Sequence, residues 1–533
     1  MKQRKKLTSA PVFLLLFLCA AALWVVGPAL AQMTDRTQNP NVANAGIAKS
    51  LSQEIGAGRG NSTTADSSSF IIARDPFRAI RRGRQLFQRK FLRSQGQGPL
   101  AADGVGDINT NLALGAGLSD SCAGCHGRPK GAAGSGGDVV TRPDSRDAPH
   151  LFGLGLKEML ADEITSDLRA IRSQAIEDAR GLERTVTKTL DSKGINYGSI
   201  IARPDGTIDT SQVHGVDPDL RVRPFFAHGG KISIREFAVG AFNDEMGLQA
   251  VDPDMMRAKN GARVTTPAGM VLDGSKDQLE TPPTDDERAD PDHDGVVNEI
   301  PTSIVDFMEF YLLNYFKPGL YQQNDETERG RRIFERVGCA QCHIPDLQIN
   351  KDRRVADLDT VYDPEHGILN NLFATAVPLF NATDDQSGFP TLKLPKLQPF
   401  LVKNIFTDIK RHDLGPNFYE RNYDGTVRTE FLTTPLWGVG TTAPYGHDGR
   451  SINLSEVILR HGGEAGDARE QFAQLTSREQ ARLIAFLNSL VLFPPDDTAS
   501  TLDPGNRNAL GFPQFGHGSI KLTVLFNNPN DPE

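Results

Sequence analysis

The sequence predicts a mainly α-helical chain built from two related units in tandem, each wrapped by long loops. Three observations carry that expectation. A Cys-x-x-Cys-His pentapeptide occurs twice, at Cys122–His126 and Cys339–His343. Flanking motifs recur in the same order around both copies. The stretches before each pentapeptide and near the chain's end have apolar residues at helical spacing. With 533 residues, 51 Gly and 33 Pro, the chain is long enough for two or three domains with sizeable cores joined by loops.

Residues 1–31 read as a secretory signal. Lys2, Arg4, Lys5 and Lys6 precede an apolar run from Pro11 to Val26, and Ala29-Leu30-Ala31 is a small-x-small cleavage site. A retained anchor is the alternative, but the run is short for a span and ends in Gly27-Pro28. No later segment is apolar enough to cross a bilayer, so the expectation is an exported, soluble protein of the periplasm. Removing four basic residues from a chain of net charge −9 leaves it more acidic still, which argues against nucleic-acid binding. Residues 32–69 are polar and rich in Asn, Ser, Thr and Gly, the composition of a flexible leader.

The repeat frames the rest. Arg82-Gly-Arg-Gln-Leu-Phe87 precedes the first pentapeptide and Arg329-Gly-Arg-Arg-Ile-Phe334 the second. Pro149-His-Leu-Phe-Gly-Leu-Gly155 echoes Pro435-Leu-Trp-Gly-Val-Gly440, and Pro224-Phe-Phe-Ala-His-Gly-Gly-Lys231 echoes Pro444-Tyr-Gly-His-Asp-Gly-Arg450. Each half has its own insertion: a helical stretch around Leu156 to Leu182 in the first, and a loop-rich run from Gln348 to Asn417 in the second. Thr476-Ser-Arg-Glu479 is a capping box that opens a closing helix through Leu490, ended by Pro494-Pro495.

In an exported protein the pentapeptide is a site of covalent c-type haem attachment. Cys122 and Cys125, then Cys339 and Cys342, would bond two haems. His126 and His343 would be the proximal iron ligands. Of five cysteines, Cys19 lies in the signal and the motifs use the other four, leaving none for a disulfide. Zinc held by the two Cys pairs gives no reason for a His after each. The units are therefore expected to be cytochrome c-like haem domains in a pseudo-duplicated pair: residues 70–300 and 301–495, with a tail at 496–533.

The other face of each iron decides what it does. Leu454, Val457, Ile458 and His461 fall on one helical stripe ended by Gly462, which makes His461 the candidate distal ligand of the second haem. Setting Glu236 against Glu456 places Ala241 opposite His461, so the first haem lacks that ligand. Four residues on, Glu245 is a candidate general base for peroxide, or else a surface glutamate. His150, His214 and His228 remain alternative ligands or proton carriers. His228 and His447 occupy equivalent repeat positions, pointing to a shared structural role.

Asp290-x-Asp292-x-Asp294-Gly295 sets alternate carboxylates around a tight turn, as a calcium loop does. Asp290, Asp292, Asp294, the Val296 backbone and Glu299 are the candidate ligands. The alternative is a solvated acidic turn.

These motifs together resemble the bacterial di-haem cytochrome c peroxidase and MauG superfamily. Thr434-Pro-Leu-Trp-Gly-Val-Gly440 and Val457-Ile-Leu-Arg-His-Gly-Gly-Glu-Ala465 are most similar to its di-haem oxidoreductase branch, described as peroxidase or thiol oxidoreductase. The resemblance runs from about Phe70 to Leu492. It implies that the N-terminal haem meets the oxidant and the C-terminal haem relays electrons. It matches Glu245-Met246 to the family's catalytic pair. Where relatives carry Met or Tyr, His461 implies a bis-His second haem of lower potential than a His/Met one. The family's bridging tryptophan aligns near Phe225 or Phe226, and its distal glutamine near Phe237. A route through Tyr311 or Tyr315, or direct transfer, would be needed instead.

The expected function is a periplasmic, peroxidase-like di-haem oxidoreductase acting on hydrogen peroxide or another small substrate. The expected electron partner is a small redox protein, a cytochrome c or a cupredoxin. A two-haem electron carrier and a dioxygen-using oxygenase are the alternatives.

Overall fold

The computed structural model describes residues 50–98, 119–127, 133, 138–139, 146–315, 319–320, 323–362, 372–422, 425–491 and 520–521. The signal, the leader before residue 50 and nearly all of the tail lie outside them. In chain order the helices are α1 (Leu51–Ile55), α2 (Ser68–Arg74), α3 (Pro76–Gln88), α4 (Cys122–His126), α5 (Leu154–Gly181), α6 (Ile234–Met246), α7 (Pro253–Lys259), α8 (Thr302–Asn314), α9 (Asp325–Arg336), α10 (Leu454–Arg460), α11 (Gly466–Ala473) and α12 (Ser477–Asn488). No helix among the described residues is long and apolar enough to cross a membrane.

Each half is closed by one crossing of two helices, and the Arg-Gly-Arg repeat explains the crossing. A Cβ on Gly83 of α3 would lie 2.5 Å from the Phe307 carbonyl of α8. A Cβ on Gly330 of α9 would lie 2.0 Å from the Arg482 carbonyl of α12. Only glycine lets the backbones approach this closely. The phenylalanines four residues on meet the opposing helix edge-on: Phe87 against Tyr311 at 5.9 Å and Phe334 against Phe486 at 5.6 Å. The α12 capping box is present as the sequence implies, with Thr476 and Glu479 bonding reciprocally.

This packing bears on where the first half ends. Helix α8, expected at the start of the second half, is buried along its whole length and crosses α3 of the first half. Its apolar side chains and its Asp306 and Glu309, both ion-paired to Arg235, are buried with the first half, so residues 302–314 pack there. The leader is corrected. From residue 50 it is ordered against the first half: Ser50 and Ser67 cap α1 and α2, Arg89 pairs with Glu54 at 2.6 Å, and Ser68 donates to Asp306 at 2.6 Å. Its polar side chains meet buried carboxylates instead of water, which composition alone does not reveal.

The mainly α expectation needs a further amendment, because the insertions carry short antiparallel ladders. Val186–Ser192 pairs with Ile195–Ala202 and packs on α5. In the second half, Leu347–Ile349 pairs with Phe400–Val402, Phe380–Thr383 with Leu392–Pro395, and Arg411–Asp413 with Glu430–Leu432. The halves interlock: the Leu432 amide donates to the Ala227 carbonyl at 2.8 Å and the Asp147 amide to the His447 carbonyl at 3.1 Å.

One buried charge cluster fastens α6 to α8. Arg235, fully buried, pairs with Asp252 at 2.6 Å, Asp306 at 2.9 Å and Glu309 at 2.8 Å, all equally buried. Burial pushes Glu309 up to about 7, against the pull of Arg235. Removing the cation leaves Asp252 and Glu309 without an ion-pair partner, while Asp306 keeps Arg59 at 3.6 Å, so Arg235→Met should cost about 3–5 kcal/mol in a urea titration. A carboxyl group raised in the fold contributes stability at acid pH that is lost as pH rises through about 7. The deficit of Arg235→Met should therefore be larger at pH 8 than at pH 5.5. An equal deficit at both would contradict this reading.

Candidate functional site

The three sequence-predicted axial histidines share one local geometry. His126 directs Nδ1 at the Pro149 carbonyl at 2.7 Å, His343 at the Phe406 carbonyl at 3.0 Å, and His461 at the Val457 carbonyl at 2.7 Å. A carbonyl only accepts, so each Nδ1 carries the proton and each Nε2 keeps its lone pair for a metal. Burial lowers His343 to about 4, with His461 close enough to lower it further. Burial lowers His461 as well. Both rings are thus held neutral, the form that binds iron.

In the first half, α4 is a single turn capped by Ser121, whose Oγ accepts from the Gly124 amide at 3.1 Å. Two strands of sequence hold this turn. The Phe91 amide donates to the Asp120 carbonyl at 2.7 Å, and the Ser119 amide donates to the Glu245 carbonyl at 3.3 Å. The C-terminus of α6 therefore lies beside the attachment turn. After burial and the Ser119 hydrogen bond, Glu245 is the next influence on Cys125, and it adds to the rise of that thiol. Burial pushes Cys122 and Cys339 up to about 12. Paired thiols one turn apart, followed by an imidazole whose Nδ1 faces a carbonyl, fit covalent haem in both halves.

The second motif of the repeat forms the same device twice. Phe225 bridges Lys231, and Tyr445 bridges Ser451. A capped helix follows each turn: Ser233 accepts from the Glu236 amide and Asn453 from the Glu456 amide. Each glutamate then accepts from a backbone amide just before its helix, Ile232 at 2.7 Å and Ile452 at 3.0 Å. Eight residues past the cap stand Ala241 in α6 and His461 at the end of α10. Phe237, Ala241 and Glu245 form one half-buried row on α6, while Ala238, Val239, Phe242 and Met246 face the core. Phe225, Phe226 and Phe237 make an aromatic wall, with centroids 5.8 and 5.4 Å apart.

The alternative histidines fall elsewhere. His150 follows the carbonyl that holds His126, and burial lowers it to about 3, with the Trp437 backbone near enough to oppose that shift. His214 packs on Gly198 of the α5 insertion sheet. His228 stacks on Phe226 at 6.0 Å, as His447 stacks on Phe431 at 4.0 Å. In the acidic turn, carboxylate oxygens of Asp290, Asp292 and Asp294 lie within 4.8 Å of one another. The Val296 amide donates to Asp294 at 2.6 Å. Glu299 stands outside this trio, accepting from the Gln249 amide at 2.7 Å.

Two features, at Trp437 and His412, escaped the sequence reading, and the Tyr311 and Tyr315 it named as a route are close together. Trp437 lies between the halves: a Cβ on Gly153 would fall 2.7 Å from its ring, while neighbouring Leu436 donates to the Ile405 carbonyl at 3.1 Å. Tyr311, near Cys122, lies 4.7 Å from Tyr315, which lies 4.9 Å from Phe152. Aromatic rings thus run from the first attachment turn toward Trp437. His412 is ion-paired to Asp408 at 2.9 Å and Glu464 at 2.7 Å. The Asp-x-x-x-His spacing of 408 and 412 was the one legible hint of that pair.

Comparison with known proteins agrees in the second half. Residues 372–490 match the family described as "Di-haem oxidoreductase, putative peroxidase". No curated protein matches the chain. A solved structure of Kuenenia stuttgartiensis hydrazine synthase, pressurised with xenon, is 14% identical with a TM-score of 0.31, covering 82% of this chain and 95% of that one. A MauG-like protein associated with microbial copper homeostasis is 15% identical with a TM-score of 0.20, covering 66% and 90%. Neither superposes closely enough to bear on this chain's fold. The family match spans Trp437 and His461, and over these residues the chain is similar to the di-haem oxidoreductases.

Proposed function

We propose that the protein is a periplasmic, peroxidase-like oxidoreductase with two covalently attached c-type haems of unequal ligation. The observation that supports this most is the asymmetry at the eighth residue past two equivalent helix caps, Ala241 in one half and His461 in the other. His126 and His343 would hold the irons through Nε2, and His461 would take the opposite side of the second. Haem iron, when bound, would supply the redox chemistry that reduces peroxide.

The chain's own groups do the rest. Ala241 leaves space on the first site, and Phe225, Phe226 and Phe237 keep it apolar. Glu245 is the base that receives a proton from hydrogen peroxide and returns it to the leaving oxygen. Two electrons and two protons convert peroxide to two waters, and the electrons come from a small redox protein, a cytochrome c or a cupredoxin. Trp437, Tyr311 and Tyr315 are oxidisable rings along the line between the halves, and they take the place of the family's bridging tryptophan. The acidic turn of Asp290, Asp292 and Asp294 is read as a calcium site completed by the Val296 carbonyl.

Carbon monoxide tests the ligation. In the dithionite-reduced protein about half the haem should form a CO adduct, since only an iron without a second protein ligand binds it. Cys122→Ala with Cys125→Ala should abolish the adduct, and His461→Ala should extend it to both haems. Two closed irons would leave an electron carrier. Glu245→Gln should lower peroxide turnover by about 10²–10⁴-fold with haem content unchanged. Undiminished turnover would remove Glu245 from the chemistry. Trp437→Phe should slow electron arrival at the first haem in stopped-flow mixing, with the CO adduct unaltered. An unchanged rate would favour direct transfer between haems.

A further inference from the structure

The two halves of the second site are tied by one side chain that the chemistry above does not use. His412 sits on the strand Arg411–Asp413, 6% exposed. Its Nε2 meets Asp408 Oδ2 at 2.9 Å and its Nδ1 meets Glu464 Oε2 at 2.7 Å. Asp408 is two residues past Phe406, whose carbonyl orients His343. Phe406 has a positive φ of 53°, a strained conformation for a bulky residue that needs support from its surroundings. Glu464 is three residues past His461, and its other oxygen accepts from the Asp413 amide at 2.9 Å.

We propose that His412 is a positioning residue for the second haem, a clamp that joins the segment orienting His343 to the loop carrying His461. The inference rests on the bis-His reading of that haem. The distal side needs such a clamp. Helix α10 has seven residues and buries only Leu454, too little to fix its own C-terminus. The loop after His461 is instead fastened to the His412 strand. The Gly462 amide donates to the Leu414 carbonyl at 2.9 Å. Gly463, at φ 47°, lies where a Cβ would come within 2.2 Å of the Asp413 carbonyl. Asp408, His412 and the Cys342 sulfur lie within 4.8 Å of one another, so the clamp touches the attachment motif itself. Each ring nitrogen of His412 faces a carboxylate oxygen at hydrogen-bond distance, and an imidazolium, a donor at both nitrogens, fits between them. Glu464 is 55% exposed, which makes the distal arm the weaker one. A separate pair, Arg460 with Asp448 at 2.7 Å, holds the helix end from another side.

The test uses the full-length protein with both haems. The CO-adduct fraction of the reduced protein and the midpoint potential of the second haem are read in wild type, His412→Gln, His412→Arg and Glu464→Gln. His412→Gln should raise the adduct from about half of the haem toward all of it, as His461 leaves the iron, and should shift the second potential. His412→Arg, a cation able to reach both carboxylates, should restore the wild-type fraction. Glu464→Gln keeps the buried arm and should give an intermediate rise, and it stands in if His412→Gln fails to retain haem. Fractions unchanged in both Gln variants, with only a lower melting temperature, would overturn the clamp. An adduct on all the haem of wild type would refute the bis-His reading instead, before any variant is compared.

Discussion

A hydrogen bond from imidazole Nδ1 to a backbone carbonyl underlies the rest of this structure. It occurs at His126, His343 and His461, and each time it fixes the tautomer and sets Nε2 on the edge of the ring away from that carbonyl. The carbonyls come from three kinds of backbone: a loop at Pro149, a strained bend at Phe406 and the last turn of a helix at Val457. Each must be held rigidly for the ring to be held at all. The segments that carry them are accordingly braced, the first by its junction with Trp437 and the second by Asp408 and its ion pair with His412.

The two crossing helix pairs set the frame in which those carbonyls sit. Gly83 and Gly330 let α3 meet α8 and α9 meet α12 at backbone contact, and an aromatic pair locks each crossing. The halves then diverge in what they build on that frame. The first adds the long helix α5 and a sheet. The second adds ladders that reach back to Asp162 and Glu163 of α5 through Arg353 and Asn350. With Trp437 and the Ala227–Leu432 bond, these contacts fix one half against the other, which electron transfer between two cofactors requires.

Much of this was legible in the chain, for physical reasons. The pentapeptides, the Arg-Gly-Arg repeat and the capped helix before His461 are local signals, with their residues within a few turns of each other. The Ser233/Asn453 caps show why aligning Glu236 with Glu456 put Ala241 against His461. That α8 packs with the first half was not legible, because its apolar residues and its Asp306 and Glu309 name no partner; the missing Cβ of Gly83 marks which helix it crosses. The leader's order depends on Asp306 and Glu54 meeting Ser68 and Arg89, pairs far apart or unmarked in sequence. His412 is bound by Glu464 from 52 residues away, and Glu299 turns to Gln249 instead of the acidic turn. Periodicity carries no trace of such contacts.

The central claim is unequal ligation of two otherwise similar haem sites. Low-temperature electron paramagnetic resonance of the oxidised, two-haem protein tests it most directly. The account predicts one signal from an iron without a strong protein ligand opposite His126, and one low-spin signal of a bis-imidazole iron that disappears in His461→Ala. Two bis-imidazole signals, or a low-spin signal that survives the loss of His461, would contradict it.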